Sequence, residues 1–175
     1  MKTELIPAIL TASAEDLSRK LDFLRGKTPW AQIDIMDGLF VPNQSVAVEK
    51  IDGRQAGVKL EAHLMVSHPE TYIDACKQAG FSRVIFHYEA TPHVESLLEQ
   101  IAKAGMERGI AINPETPIDS ILPYLPYVDT VLLLGVTPGF SGQMFHEPVL
   151  KKINELQQHA PNIPISIDGG IDLDN

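Results

Sequence analysis

The chain contains a second predicted strand that reads Trp30-Ala31-Gln32-Ile33-Asp34-Ile35-Met36 and is followed by Asp37-Gly38. Side chains alternate between the two faces of a strand, so Gln32, Asp34 and Met36 share one face. The two isoleucines take the other face, where helices would cover them. An acid on the inner face of a buried strand is normally paired, hydrogen-bonded or bound to a metal. We therefore expect a functional role for Asp34, with a structural ion pair as the alternative, and a turn or cap role for Asp37.

On either side of this strand, short apolar runs alternate with longer amphipathic segments. The predicted strands are Glu4–Leu10, Trp30–Met36, Val58–Met65, Arg83–His87, Gly109–Ile112, Thr130–Gly135 and Ile163–Asp168. The predicted helices are Ala14–Leu24 behind an N-cap at Ser13, Glu70–Ala79 closed by Gly80, His93–Ala104 closed by Gly105, Ile118–Tyr124 and Pro148–Gln158, with at most one helical turn in Ser45–Ile51. This alternation is the βαβ pattern of a parallel sheet covered by helices.

The alternation predicts one α/β domain, because no linker or second composition regime interrupts residues 1–175. Periodicity does not separate a barrel from an open sheet, but no Gly-x-Gly-x-x-Gly follows the first strand and no P-loop pattern occurs, which favours the barrel. A closed eight-stranded barrel usually needs about 250 residues and at least about 200. We therefore predict a (β/α)8 TIM-barrel type domain that is truncated after the seventh strand and lacks its C-terminal helix-strand-helix portion.

Composition disfavours several classes of function. The chain has 14 Lys and Arg against 23 Asp and Glu, a formal charge of -9, which repels nucleic-acid phosphates and acidic membrane surfaces. The densest basic spot, Lys151-Lys152, is interpreted as a solvated helix face. The single cysteine, Cys76, is interpreted as a packed residue and allows no internal disulfide. The most apolar segment, Val131–Leu134, is too short to span a bilayer, so we expect a cytoplasmic protein with no nucleic-acid or membrane partner.

Polar residues stand where predicted strands end, which is where a barrel of this type forms its active site. His63 could be a neutral metal ligand or a satisfied core histidine. The run Asp168-Gly169-Gly170 could be a carboxylate beside an anion-binding backbone loop or an ordinary turn. The glycine-containing segment from Thr137 to Gln143 suits a backbone nest for a phosphate, although a lone glycine loop is a weak signal.

Other candidates near the strand ends are interpreted as structural. Met36 and Met65 read as core fillers, which is the commoner role of methionine. His87, His93 and His146 have no spacing typical of metal ligands, and we interpret them as surface or packing residues.

Six landmarks follow one another along the chain. They are Pro7-Ala8-Ile9-Leu10, the run from Asp34 to Asn43, His63-Leu64-Met65-Val66, Asn113-Pro114-Glu115-Thr116-Pro117, Pro138-Gly139-Phe140-Ser141-Gly142-Gln143 and Asp168-Gly169-Gly170. In this order they resemble the ribulose-phosphate 3-epimerase family over nearly the whole chain. The Met-Asp-Gly-x-Phe-Val-Pro-Asn run within the second landmark is the longest and most specific of them.

The resemblance implies an isomerase that epimerises carbon 3 of a ketose phosphate, D-ribulose 5-phosphate to D-xylulose 5-phosphate or a close analogue, through an enediolate. It implies that Asp34 and Asp168 act as the acid/base pair on opposite faces of the sugar. It also implies a divalent cation (Zn, Fe, Mn or Co) held by Asp34, His63 and Asp168. Gln32 would then be a weakened fourth ligand, because the family has a histidine there and an amide oxygen binds first-row metals less well than imidazole.

The resemblance further implies a substrate site and an oligomer. The implied substrate- and phosphate-binding residues are His63, Gly139, Phe140, Ser141, Gly142, Gly169, Gly170, Met36 and Met65. The two methionines would line the reacting carbons. We expect a homo-oligomer, because the family commonly associates and exposed strand edges favour association.

Further departures from the family pattern keep two other functions open. Ala8 stands in place of a serine, Leu134 in place of a methionine, and Thr137 in place of an asparagine. Gln32, Ala8 and the short chain favour a non-catalytic or degenerate barrel that binds a phosphorylated ligand, such as a phosphosugar, or a protein partner without turnover. The decarboxylase and aldolase branch of phosphate-binding barrels is the weakest alternative, because its Asp-x-Lys-x-x-Asp motif has no matching lysine after Asp34.

Overall fold

The computed structural model describes residues 3–140 and 142–172. The strands in this part of the chain are β1 (Ala8–Ile9), β2 (Trp30–Met36), β3 (Lys59–Met65), β4 (Arg83–His87), β5 (Glu107–Ile112), β6 (Thr130–Leu134) and β7 (Ile165–Asp168). The α-helices are α1 (Ala14–Leu24), α2 (Ile73–Ala79), α3 (Val94–Ala104) and α4 (Val149–His159). Short 3₁₀ turns occupy Val48–Lys50, Gly53–Gln55, Pro69–Tyr72, Tyr88–Ala90, Ile118–Ser120 and Leu122–Tyr127.

All described strands are parallel and lie in chain order in one sheet, from β1 at one edge to β7 at the other. The sheet is strongly curled. The evidence is the distance of 2.6 Å between Gln32 Nε2 on β2 and Asp168 Oδ2 on β7. In a flat sheet the five strand spacings of about 4.8 Å would separate these strands by about 24 Å. A curled parallel sheet in chain order, with helices outside, confirms the predicted (β/α)-barrel fold class.

Two apolar layers hold the sheet. The outer layer lies between strands and helices and includes Ile33 and Ile35, as the alternation in β2 predicts. The smaller inner layer contains Ile85, Ala111, Leu132 and Leu134. Each fully buried isoleucine or leucine side chain in these layers stabilises the fold by roughly 1.5–3 kcal/mol relative to exposure.

Local sequence signals fixed several boundaries. β2, β4 and α1 span the residues predicted for them, and Ser13 accepts a hydrogen bond from the backbone N–H of Asp16 at the start of α1. α2 and α3 end at Gly80 and Gly105, whose φ values of 85° and 83° lie in the left-handed region that favours glycine.

Three predicted elements differ from the structure by more than two residues. The helix predicted over Glu70–Ala79 starts at Ile73 as α2, behind the 3₁₀ turn at Pro69–Tyr72. The helix predicted over Ile118–Tyr124 is replaced by two 3₁₀ turns, because Pro123 and Pro126 lack the N–H that an α-helix requires. The first strand is limited to two residues rather than Glu4–Leu10, since Pro7 cannot donate to the ladder and its carbonyl instead accepts from Gln32 N. In the described residues no helix is both long and apolar enough to cross a membrane.

Candidate active site

Three of the predicted site residues meet inside the curled sheet near the carboxyl ends of their strands. Asp34 on β2 and His63 on β3 are register partners, and Asp168 ends β7. His63 Nδ1 lies 3.1 Å from Asp34 Oδ1 and 3.5 Å from Asp168 Oδ2. One ligand atom from each residue lies within 4.8 Å of the others. Carboxylate and imidazole donors at this spacing fit a first-row divalent cation such as Zn²⁺, Mn²⁺, Fe²⁺ or Co²⁺.

Gln32 joins the same cluster, but through its amide nitrogen. Gln32 Nε2 donates to Asp34 Oδ1 at 2.9 Å and to Asp168 Oδ2 at 2.6 Å. An amide NH₂ group is a donor only, so in this orientation Gln32 bridges the two carboxylates and presents no ligand atom to a cation. Ala8, the register partner of Gln32 on β1, adds no polar atom.

His63 supplies the positive charge of the cluster. Burial disfavours its charged form, but hydrogen bonds to Asp168 and Asp34 outweigh that cost and raise the pKa of His63 to about 9. Burial likewise opposes the charged form of Asp168, yet the bonds from His63 and Gln32 lower the pKa of this carboxyl. A bound cation would replace the imidazolium proton, because a histidine ligand must be neutral.

Apolar side chains form one wall beside these polar groups. Met36 and Met65 follow Asp34 and His63 by two residues on the same strand faces and are buried together with Val41. Leu10 and Phe40 pack against them. The wall restricts water at this end of the sheet, which strengthens electrostatic interactions between the buried groups.

Asp37, the residue after Met36, stabilises a turn, as expected from the sequence. Its carboxylate accepts hydrogen bonds from the backbone N–H groups of Leu39 and Phe40 at 2.8 and 3.0 Å, and from the backbone and hydroxyl of Ser67. Burial opposes the charged form, but these bonds hold the pKa of Asp37 below its usual value.

The predicted phosphate loop after β6 is tied to the loop after β2. Asn43 Nδ2 donates to the carbonyl of Gly139 at 3.0 Å, and Gln143 Nε2 donates to the carbonyls of Thr137 and Phe140. Gly139 and Gly142 have φ values of 119° and 78°. Ser141 lies outside the described residues.

The second predicted phosphate segment, Gly169-Gly170, packs against the same loop. Both residues have positive φ, 93° and 72°. A Cβ at Gly169 would lie 2.3 Å from Val136 Cγ2, and one at Gly170 would lie 2.7 Å from the backbone nitrogen of Phe145. Backbone conformation and close approach therefore both require glycine at these two positions, which directly follow Asp168.

The interpretation of His87 as a surface or packing residue was incomplete. His87 is fully buried, and its Nε2 lies 3.0 Å from Nε2 of His63. Glu89, two residues later, accepts from the backbone N–H of Asn113 at 2.9 Å and from the Thr116 hydroxyl. The available signal was position: His87 ends β4, the neighbour of the strand that carries His63. His93 and His146 are exposed, as expected.

The interpretation of Lys151-Lys152 as a solvated face is wrong for Lys152. Lys152 Nζ donates to the carbonyls of Asn113 and Thr116 at 3.0 and 2.6 Å, so it anchors the loop after β5. Burial lowers the pKa of Lys152. Cys76 is buried as predicted, and burial raises the pKa of its thiol to about 12, which keeps it protonated and unreactive.

Solved structures with the same architecture define the class of protein. The α-subunit of tryptophan synthase from Pyrococcus furiosus, in a mutant form, has a TM-score of 0.71 at 13% identity and covers 96% of this chain and 78% of its own. Tryptophan synthase from Mycobacterium tuberculosis has a TM-score of 0.68 at 12% identity, covering 97% and 76% of the two chains. At such low identity these structures show the fold alone, and it is that of the (β/α)-barrel proteins.

Sequence comparison gives the family. The model of the ribulose-phosphate 3 epimerase family matches residues 4–175. A ribulose-phosphate 3-epimerase from Rhodobacter capsulatus is 37% identical over 97% of this chain and 76% of its own length. One from Schizosaccharomyces pombe is 35% identical over 99% of this chain and 78% of its own length. The chain belongs to the ribulose-phosphate 3-epimerase family, which confirms the resemblance in the sequence and the predicted class of carbohydrate isomerase.

Proposed function

We propose that this protein epimerises carbon 3 of a ketose phosphate, with D-ribulose 5-phosphate and D-xylulose 5-phosphate or a close analogue as the interconverted pair. The observation that carries the proposal is the meeting of Asp34, His63 and Asp168, with ligand atoms within 4.8 Å of one another, in a member of this family. The cytoplasmic location and the homo-oligomer remain predictions from the sequence.

Two carboxylates carry the acid/base chemistry in this scheme. Asp34 on β2 and Asp168 on β7 approach the enclosed space from different strands of the curled sheet. One carboxylate removes the proton from carbon 3, and the other, as the carboxylic acid, returns a proton to the opposite face. The sugar gains and loses one proton, so only the configuration of carbon 3 changes. Two acids with different surroundings can hold the different protonation states that this requires.

Asp34, His63 and Asp168 would hold a divalent cation. When bound, the cation neutralises negative charge that develops on the substrate oxygens after the carbon-bound proton is removed. Gln32 keeps the two carboxylates together through its amide nitrogen. The methionine wall of Met36 and Met65 excludes water from the reacting carbons.

The phosphate end of the sugar would bind to backbone groups of the two packed glycine segments. Their positive φ values suit a concave nest of N–H groups, which binds anions without any basic side chain. This arrangement agrees with a net charge of -9, which disfavours a polyanionic partner but permits a small phosphosugar held in an enclosed site.

Proton exchange tests the proposal directly. The protein is supplied with Mn²⁺, Fe²⁺ or Zn²⁺ and incubated with ribulose 5-phosphate in heavy water, and deuteration at carbon 3 is followed by NMR. We expect exchange and formation of xylulose 5-phosphate, reduced by at least about a thousandfold in Asp34→Asn because one acid/base group is lost. Asp74→Asn, an exposed aspartate on α2, is the matched control and should exchange at the normal rate.

One observation favours a second function. Gln32 bridges the carboxylates where the family has a histidine, which suits a barrel that binds phosphosugars without turnover. If folded protein shows no exchange with any of these metals and with pentulose or hexulose phosphates, the epimerase proposal fails. Retained binding of the phosphosugar in the same sample would then support the binding barrel.

A further inference from the structure

A chain of buried polar groups extends from the proposed metal ligands to the loops that follow β4 and β5. His63 directs Nδ1 toward Asp34 and Asp168, at 3.1 and 3.5 Å, and Nε2 toward His87 Nε2 at 3.0 Å. The two imidazole rings are nearly parallel, with 22° between their planes, and both histidines are fully buried. A direct contact between two ring nitrogens is stable only if one carries hydrogen and the other offers a lone pair.

The surroundings of the second ring nitrogen of His87 decide which tautomer it adopts. No residue in the described ranges makes a hydrogen bond of standard geometry to His87 Nδ1, and the nearest carboxylate oxygen, Glu89 Oε2, lies 3.4 Å away. The buried Asn113 Oδ1 is also without a partner in the described chain, and the Asn113 side chain interacts with His87. Both neighbours are acceptors, so they favour hydrogen on Nδ1 and leave the lone pair on Nε2.

Glu89 is itself held in place by other bonds. Its Oε1 accepts from the backbone N–H of Asn113 and from the Thr116 hydroxyl, which leaves Oε2 to face His87. Lys152 fixes the same loop through the carbonyls of Asn113 and Thr116. The orientation of the Glu89 carboxylate is therefore determined by the loop after β5 rather than by His87.

We propose that Glu89 and His87 are positioning residues that fix the tautomer of His63. Glu89 holds hydrogen on His87 Nδ1, and His87 Nε2 accepts the N–H of His63 Nε2. When a cation replaces the Nδ1 proton of the His63 imidazolium, the remaining hydrogen therefore stays on Nε2 and Nδ1 becomes the ligand atom. That nitrogen faces both aspartates, so the relay orients His63 to bind a cation there. Partners of this kind typically change metal affinity by about 10- to 100-fold when they are removed. The inference rests on the proposed function for its purpose, but the tautomer of His87 does not depend on a bound cation.

The test uses Glu89→Gln. A glutamine whose Oε1 still accepts from Asn113 would turn its NH₂ group toward His87 Nδ1. This favours hydrogen on His87 Nε2, so that His87 no longer offers a lone pair to the N–H of His63 Nε2. Glu70→Gln is the matched control, because Glu70 Oε1 also lies 3.4 Å from Nδ1 of a histidine two residues away, His68, but on the exposed surface.

The first readout is tautomeric state in the metal-free protein, measured from ring ¹⁵N shifts of histidine-labelled samples. We expect His87 with hydrogen on Nδ1 in the original chain and in Glu70→Gln, and a measurable fraction of His87 with hydrogen on Nε2 in Glu89→Gln. Hydrogen on Nε2 of His87 in the original chain would overturn the proposal. This readout needs neither metal nor substrate, so it stands even if the epimerase proposal fails.

The second readout is Zn²⁺ affinity by competition with a chelator. We expect a loss of about 10- to 100-fold in Glu89→Gln and in His87→Phe, which keeps the ring packing against Phe40 but removes both nitrogens. His87→Gln, which retains an acceptor, should recover most of the affinity. Equal affinity of the original chain and Glu89→Gln, in samples shown to be folded by circular dichroism, would refute the relay. If none of the proteins binds Zn²⁺, the metal proposal fails and the ¹⁵N readout alone decides.

Discussion

The two ends of the inner face of the sheet both contain buried charge, but they balance it differently. At the amino end, Arg83 on β4 donates to Glu61 on β3 at 2.7 Å and to Glu107 on β5 at 2.9 Å. The guanidinium also lies 4.3 Å from the centre of the Trp30 ring. Arginine remains protonated at every pH at which proteins fold, so the positive charge at this end is permanent.

At the carboxyl end, the positive charge is a proton on an imidazole. His63 stands two residues after Glu61 on β3 and lies between Asp34 and Asp168, with Gln32 joining the two carboxylates. A cation can replace this proton, whereas nothing can replace the guanidinium of Arg83. The comparison teaches that buried acids alone do not distinguish the two ends, whereas the exchangeable counter-charge does.

The largest expected effect is on the free energy of unfolding, when the permanent positive charge of Arg83 is removed. In Arg83→Met, Glu61 is left without its cation while only 1% of its side chain is exposed. Removing one partner of a buried ion pair typically costs about 3–5 kcal/mol, and we expect that loss in the free energy of unfolding measured with urea at pH 7.

The exposed pair of Arg19 and Asp16 on α1 provides the control for Arg83→Met. Arg19→Met should leave the free energy of unfolding nearly unchanged, because exposed ion pairs contribute little. Equal losses in the two variants would show that the amino-end network is no more than a surface ion pair.

The next largest effect is on the affinity of the carboxyl-end cluster for a divalent cation. Gln32→His replaces the bridging amide with a ligand that first-row metals prefer, and we expect Zn²⁺ affinity to rise about 10- to 100-fold in a chelator competition assay. Gln55→His, at an exposed position near the amino end, is the control and should leave the affinity of this site unchanged. Unchanged affinity in Gln32→His would mean that Asp34, His63 and Asp168 alone determine the binding of the cation.

Sequence predicted the fold and the membership of the cluster better than it predicted the contacts inside the cluster. Period-two alternation in β2 and glycine caps after α2 and α3 are local signals, and they gave the correct elements. The role of Asp37 was also local, since its bonds begin two residues away. In contrast, the bridge from Gln32 to Asp168 joins residues 136 positions apart, and the amide's orientation depends on two carboxylates that only the curled sheet brings together.

His87 and Lys152 illustrate the same limit. Each has a pattern typical of an ordinary packing or surface residue, and its polar contacts come from other elements of the fold. His87 meets His63 across a strand pair, and Lys152 on α4 reaches the loop after β5. Such contacts depend on the register between strands and the placement of a helix, which neither composition nor spacing along the chain encodes directly.

The smallest effect is a pH dependence of stability, which differs between Glu61, a buried carboxylate at the amino end, and Glu89, a partly exposed carboxylate at the carboxyl end. Burial opposes the charged form of Glu89, but the nearby His87 imidazole and the hydrogen bonds from Thr116 and Asn113 lower its pKa from 4.5 to about 2. A lowered folded-state pKa gives stability that is present above about pH 4.5 and is lost as the pH falls toward 2. For Glu61 the sign is opposite, because burial raises the pKa of its carboxyl despite Arg83.

We therefore expect Glu89→Gln to lower the free energy of unfolding by about 1–2 kcal/mol more at pH 6 than at pH 3, after allowance for solvent screening. Glu61→Gln should show the reverse trend, with its cost relative to the original chain decreasing as the pH rises through the raised pKa. Urea unfolding of the three proteins over this pH range measures both differences. Parallel stability curves for the original chain and Glu89→Gln would show that His87 and the loop after β5 do not stabilise the charged carboxylate. Because the loop bonds that hold Glu89 charged also aim it at His87, a flat difference would weaken the proposed positioning of His63 as well.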